Sequence, residues 1–260
     1  WPGDASVNIS VLHLEKGILR EVGAKRVLDD KPVPFINSRL RPLLERDEPV
    51  QLKVNDNLAS KGLEPRSNGF VITPEEKNSL ISLDERNAER IFKYIGGADV
   101  NSDPLQDSDR YIINFGPVSL EDAAAWPDLI SIVEERVKPD RMNPRNNGPA
   151  LKMAKNWWQF YSEEPISRTA TIGMNRCIVA ADVSKHLTFS FQPTTLILSN
   201  SLRVFALDSF SAFSVLQSRI NGAWARLFGS TFGGGIRYTI SECFETLPFP
   251  QGSPQKSQIS

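Results

Sequence analysis

The side chains in this chain that stand closest together with chemistry to offer are cations. Arg136, Lys138, Arg141, Arg145, Lys152 and Lys155 fall within twenty positions, with Asn143, Asn146 and Asn147 among them. Long cations contact phosphates, while Arg also bridges guanine O6 and N7 and Asn bridges adenine N6 and N7. Pro144, Gly148 and Pro149 keep this loop extended, so that several side chains can enter one groove. A second cluster, Lys185 and His186, stands before the alternating strand Thr188-Phe189-Ser190-Phe191 and suits a phosphate contact. Arg203, at the edge of a further strand, completes the set. A plainer reading fits the same residues: a solvated basic loop, both Trp157 and Trp158 in the core, and a surface His.

Catalytic patterns are missing. There is no GxSxG elbow, no HExxH and no phosphate-cradling GxxxxGK[ST]. Gly233-Gly234-Gly235 lacks the Lys and Ser/Thr of a phosphate site and reads as a hinge. Pro127-Asp128 and Pro139-Asp140 resemble one nuclease pattern, but no acid-x-Lys follows them to hold Mg²⁺ and activate water. Cys177, Cys243, His13 and His186 show no zinc-ligand spacing. Two cysteines are too few for a disulfide framework, which points to a reducing cytoplasm.

The net charge of −1 conceals an asymmetry. Residues 1–135 carry 16 Lys and Arg against 24 Asp and Glu, whereas residues 136–247 carry 13 against 7. The second half thus has the sign that a polyanion attracts, although chance clustering on a solvated surface gives the same balance. No window approaches the roughly 18 apolar residues of a membrane span. The start, Trp1-Pro2-Gly3-Asp4, has no signal-peptide pattern and no initiator Met, so it reads as other than a natural N-terminus.

The elements that must position the cations are short. Ala5–Leu14 reads as a strand, with return strands in Ile18–Leu28 and a break at Asp29-Asp30-Lys31-Pro32. Thr73-Pro74-Glu75-Glu76 opens a helix, with a capping Thr, Pro at the first position and acids in the first turn. Asp84–Lys93 reads as a helix and Arg110–Phe115 as a strand. Ser119 caps a helix that reaches about Val137 with a break at Pro127. Val137-Lys138-Pro139 is a structural corner or part of the binding loop. Adjacent residues point apart, so one of Trp157 and Trp158 is expected in the core and the other exposed. Arg176–Ala181, Leu187–Phe191, Thr195–Leu198 and Val204–Leu207 read as strands. Asp208 or Ser209 then caps a helix with Phe213, Leu216, Ile220, Ala223, Trp224 and Leu227 on one stripe and Arg219, Asn221 and Arg226 beside it. The fold class is mixed α+β, with short strands in the second half packed with helices.

Several segments in series then resemble a family. Tyr94-Ile95-Gly96-Gly97-Ala98-Asp99-Val100-Asn101, Arg110–Phe115 and Val137-Lys138-Pro139-Asp140-Arg141 come first. Trp157-Trp158, Lys185-His186, Arg237-Tyr238-Thr239 and Phe244-Glu245-Thr246-Leu247-Pro248-Phe249-Pro250 follow. This order, over about residues 66–250, resembles the C-terminal target-recognition region of bacterial restriction-modification DNA methyltransferases, of the type II class that fuses restriction and methylation. Trp1–Val11 is similar to the late strand that closes the methyltransferase sheet. The family's Asn/Asp-Pro-Pro-Tyr/Phe motif and Gly-rich cofactor loop do not occur in these residues.

The resemblance implies residues 1–34 as the end of a methyltransferase domain, 35–68 as a linker, 69–250 as a DNA target-recognition domain and 251–260 as a disordered tail. It implies a parent that methylates adenine N6 of a flipped-out base with S-adenosylmethionine, in a class where cleavage often shares the polypeptide, in the cytoplasm of a bacterium. This chain would bind double-stranded DNA without cofactor, metal or membrane, beside the methyltransferase core of the same polypeptide. The DNA-binding residues expected are Lys138, Arg141, Arg145, Asn146, Lys152, Lys155, Lys185, His186 and Arg203. Two rivals stand: a module that docks onto a methyltransferase or nuclease subunit through the acidic stretch 40–109, and an enzyme with an unrecognised site.

Overall fold

The computed structural model of the chain describes residues 11–13, 26–45, 47–142, 149–162, 170–232 and 234–250. The chain divides into two compact units, Trp1–Val50 and Gln51–Ser260. In the first, β1 (Arg26–Leu28) and β2 (Lys31–Val33) form an antiparallel hairpin. Its two turn residues, Asp29 and Asp30, both have positive φ (49° and 61°), the geometry whose twist matches paired strands and that Asp tolerates better than most residues. The strand expected over Ala5–Leu14 lies almost wholly outside the described residues.

The second unit is mixed α+β, as the pattern of short strands and capped helices requires. One sheet has the order β10-β5-β6-β4. Its strands are β4 (Val71–Ile72), β5 (Ile91–Ile95), β6 (Tyr111–Ile113) and β10 (Ile197–Leu198). β10 pairs parallel to β5, and the other pairings are antiparallel. Helix α1 (Pro74–Leu83) follows β4, and Thr73 and Glu76 close a capping box at its start. After β5 comes the short helix α2 (Gly97–Ser102). Helices α3 (Leu120–Ala123) and α4 (Pro127–Arg136) follow β6, parted at Pro127 as expected. Phe70, Ile112, Leu129, Val133 and Val137 form the centre of this core.

A second sheet, all antiparallel, has the order β3-β11-β7-β9. It comprises β3 (Ala59–Lys61), β7 (Arg176–Ala181), β9 (Phe189–Pro193) and β11 (Leu202–Phe205). Side chains alternate across it. Ile178, Ala180 and Phe205 face helices α7 (Phe210–Leu216) and α8 (Arg219–Phe228), while Cys177, Val179, Leu202 and Val204 pack with Ile95, Val100 and Leu198 of the first layer. Burial on both faces explains why the sequence of β7 is a nearly unbroken apolar run.

Residues 51–68, expected as linker, belong to this unit. Asn55 is fully buried, and its amide donates to the carbonyls of Phe244 (3.0 Å) and Leu247 (2.8 Å). Leu52 N–H donates to Glu245 C=O at 2.8 Å. Gly62 threads past the β10–β11 turn so closely that a Cβ would stand 2.2 Å from the carbonyl oxygen of Ser199.

Two further expectations are corrected. Asp84–Lys93 is a short 3-10 turn (Glu85–Glu89) followed by β5, because Ile91, Phe92, Tyr94 and Ile95 suit a strand and pair with β6. The long stripe after Asp208 is two helices. Ser209 caps α7 and Ser218 caps α8, and this restart turns Ile220 and Ala223 out to solvent.

Phe205 is fully buried against Phe189, Tyr238 and Phe244. Phe205→Ala is expected to cost about 3–5 kcal/mol in urea unfolding, the loss of a large core side chain plus its cavity. Gly62→Ala is expected to destabilise as well, since the atoms in its way are backbone. A midpoint unchanged by either would contradict this packing.

Candidate nucleic-acid interface

Arg141 closes α5 (Lys138–Arg141) and is 4% exposed. Its guanidinium donates to the carbonyls of Trp157 (3.0 Å), Gln159 (2.6 Å), Pro65 (2.5 Å) and, at 3.4 Å, Asn156. It lies over the Phe70 ring at 5.0 Å. Burial pushes Arg141 down to about 10, and the ring of carbonyls makes the protonated fork the form that fits. Arg141 was expected at phosphates; it is instead a rivet that joins three chain segments, because it is buried and its donors face main-chain oxygens.

What the rivet positions is a cationic corner. Helix α6 (Pro149–Lys155) carries Lys152 and Lys155, three apart and both exposed. Lys152 lies 6.0 Å from the ring of Tyr161, and the guanidinium of Arg66 covers the same ring at 3.5 Å. Arg66 has a left-handed backbone (φ 50°) and an ion pair to Glu64 at 2.6 Å, which with Tyr161 raises its pKa. Lys138 is half-buried over the Trp157 ring and paired with Glu134 at 2.6 Å. Arg145 and Asn146 lie outside the described residues. Trp157 and Trp158 are both buried, edge to face, because they sit in a turn where Trp158 Nε1 reaches the Val118 carbonyl at 2.9 Å. Sequence reading missed Arg66 and Tyr161; the Glu64–Ser162 bridge that joins them spans nearly a hundred residues and leaves no local pattern.

The other expected cations gather at a small ribbon of order β12-β13-β8. Its strands are β8 (Val183–Ser184), β12 (Ser230–Phe232) and β13 (Gly235–Arg237). Lys185 and His186 follow β8 and are exposed. Arg237 on β13 approaches Asp182 at 3.6 Å and is 44% exposed. Arg203 is corrected like Arg141: it is 3% exposed, bonded to Asp182 and to the Tyr238 carbonyl. Burial lowers its pKa and the Asp182 charge opposes that shift. Arg203 ties this ribbon to the second sheet. Asn221 is likewise buried, between the Leu216 carbonyl and the Tyr238 hydroxyl.

Among the described residues no group of three His, Cys, Asp or Glu is placed to hold a metal, and no helix is long and apolar enough to cross a membrane. A cleft of about 210 Å³ opens between β5, β6 and the turn before β10. Arg90, Asn114, Thr171, Thr194 and Thr195 are its polar lining, and it shares no residue with either cationic group. Cys177 lines it too, its thiol pushed up to about 12 by burial.

The family model described as MmeI, target recognition domain, matches residues 46–251. No curated protein matches the chain. Among solved structures, that of the Type IIL restriction-modification enzyme MmeI in complex with DNA is similar in fold, with a TM-score of 0.66 and 19% identity. The likeness covers 85% of this chain and 29% of that one, so the chain spans well under half of that protein's length.

Two outcomes are expected from this geometry. Arg141→Ala is expected to lose about 2–4 kcal/mol in urea unfolding, since buried carbonyls lose their donors; Arg141→Lys, with no planar fork, recovers only part of it. An unchanged midpoint for Arg141→Ala would remove the rivet. Cys177 and Cys243 are both buried, so native protein is expected to leave both thiols unlabelled by an aromatic disulfide reagent at neutral pH and denatured protein to release two equivalents.

Proposed function

The chain belongs to the MmeI target recognition domain family, and from that membership we propose that it reads a short sequence of double-stranded DNA on behalf of a restriction-modification enzyme whose catalytic parts lie elsewhere in the polypeptide. The family match over residues 46–251 carries this reading. It is supported by the excess of cations after residue 135 and by where the exposed ones stand. Lys152 and Lys155 stand with Arg66 in one group, and Lys185 and Arg237, beside His186, form another on a ribbon. The β12–β13 hairpin at its edge is two-stranded, a form that fits the major groove, where each base pair presents a distinct pattern of donors and acceptors.

In this reading the α6 corner, with Lys138 and Arg145 nearby in sequence, holds phosphates and sets the register. Lys185 and Arg237 hold further phosphates, while Asn146 and the remaining ribbon side chains read base edges. Arg141 and Arg203 act through position only. The parent would be an adenine-N6 methyltransferase, and S-adenosylmethionine would supply the methyl group in its core. The residues described here do not fit that cofactor: the cleft near β10 has no acidic residue for ribose hydroxyls and is small for a nucleoside with a side chain. No step of the chemistry is therefore assigned to this chain.

A salt titration of binding to pooled random duplex, followed by sequencing of the retained fraction, tests the reading. Retention that falls steeply with salt and enriches one short sequence is expected. Lys152→Ala, Lys155→Ala and Lys185→Ala are each expected to flatten the log–log salt slope by about 0.9 and to leave the enriched sequence unchanged. Folded wild-type protein that retains no duplex at low salt would favour a docking module instead.

A further inference from the structure

The β12-β13-β8 ribbon has two unlike faces. Thr231 pairs with Ile236, and Ile236 with Ser184. In the neighbouring row Ser230 pairs with Arg237, and Arg237 with Val183. Phe232 pairs with Gly235 at the hairpin end. Alternation therefore puts Thr231, Ile236 and Ser184 on one face, and Ser230, Phe232, Gly235, Arg237 and Val183 on the other. Ile236 is buried in the second core, so the face that carries Phe232 looks outward.

On that face Phe232 is 67% exposed. No side chain stands opposite it, because its partner is a glycine. A Cβ at Gly235 would come 3.0 Å from Val183 Cγ1 and 3.2 Å from the Ser184 carbonyl oxygen, so a side chain there would crowd its neighbours. Two cations and an imidazole flank this bare strip. Lys185 and His186 follow Ser184 at the same end of the ribbon, and Arg237 lies two residues along from Gly235. The carboxylate that Arg237 approaches, Asp182, is already bonded to Arg203. A single exposed aromatic is ordinary on a protein surface. One that stands beside bare backbone, flanked by cations, suits a ligand with anionic edges and an apolar centre.

We propose that Phe232 makes an apolar contact with a base when the ribbon lies in the major groove, an inference that rests on the DNA-reading function above. Two parts of a base offer that chemistry: the thymine C5-methyl at the groove floor, and the face of a base whose step has been opened. In both, the Lys185 and Arg237 side chains flank the contact toward the phosphates, and Gly235 leaves room for the duplex to approach.

The experiment uses the full 260-residue chain and the sequence it enriches from random duplex. Each thymine of that site is replaced in turn by uracil, and each adenine by 2-aminopurine. The expected result is one position where loss of the methyl weakens wild-type binding about fourfold, or one where 2-aminopurine brightens on binding. That response is expected to vanish in Phe232→Ala and to persist in part in Phe232→Leu. Both variants should keep the wild-type thermal midpoint, since the ring is exposed. A wild-type chain that enriches a site but shows neither response, or a Phe232→Ala chain that enriches and responds as wild type does, overturns the contact and leaves the DNA-reading function standing. A wild-type chain that retains no duplex overturns both.

Discussion

Burial of the β3-β11-β7-β9 sheet on both faces is the constraint from which the rest of the second unit follows. Ile178 and Phe205 point into one core and Cys177, Val179 and Val204 into another. Neither layer can then be removed without exposing a face of the shared sheet. The helices α7 and α8 lie on one side, the β10-β5-β6-β4 sheet and α2 on the other. A strand with no solvent face has no room for a surface cation in its middle. That is why Arg203, at the centre of β11, has to find Asp182 and a backbone carbonyl instead of a ligand.

The cations of this chain accordingly do two kinds of work. Arg141 and Arg203 are sunk into protein and spend most of their donors on carbonyls and one carboxylate, an arrangement for which the planar guanidinium is suited and an ammonium is not. Lys152, Lys155 and Lys185 stand in solvent, where a compact, hydrated charge can exchange counterions for phosphates at little structural cost. The buried pair determines where the exposed set stands. Arg141 fixes the segments that carry Arg66 and Tyr161, and Arg203 fixes the base of the ribbon that carries Phe232 and Arg237.

Much of the fold was legible in the sequence. The Thr73 and Ser119 caps, the break at Pro127 and the apolar, β-branched run of β7 all leave local patterns. What could not be read depended on partners far along the chain. Ile91–Ile95 carries residues that serve a strand or a helix, and only the pairing with β6 decides between them. For the candidate site the residue types could be read and their burial could not. Nothing in the string distinguishes Arg141 from Lys152, since the acceptors of Arg141 are the main-chain oxygens of Pro65, Trp157 and Gln159. Tyr161 and Phe232 escaped notice for the same reason, because aromatic side chains carry no sign of which of them stay outside a core.

The start and the finish of the second unit are held together. Leu52 and Asn55 bond to the main chain at Phe244, Glu245 and Leu247, so the strand of chain that comes in and the one that goes out pass the same point. A unit attached at a single place can be lifted out and replaced by a relative without stretching its host, provided the replacement brings both halves of that fastening with it. For the DNA-reading function proposed above, this makes exchange of the whole unit a smaller step than remodelling it. Successful grafts should have their joints outside residues 51 and 247, not within residues 51–68.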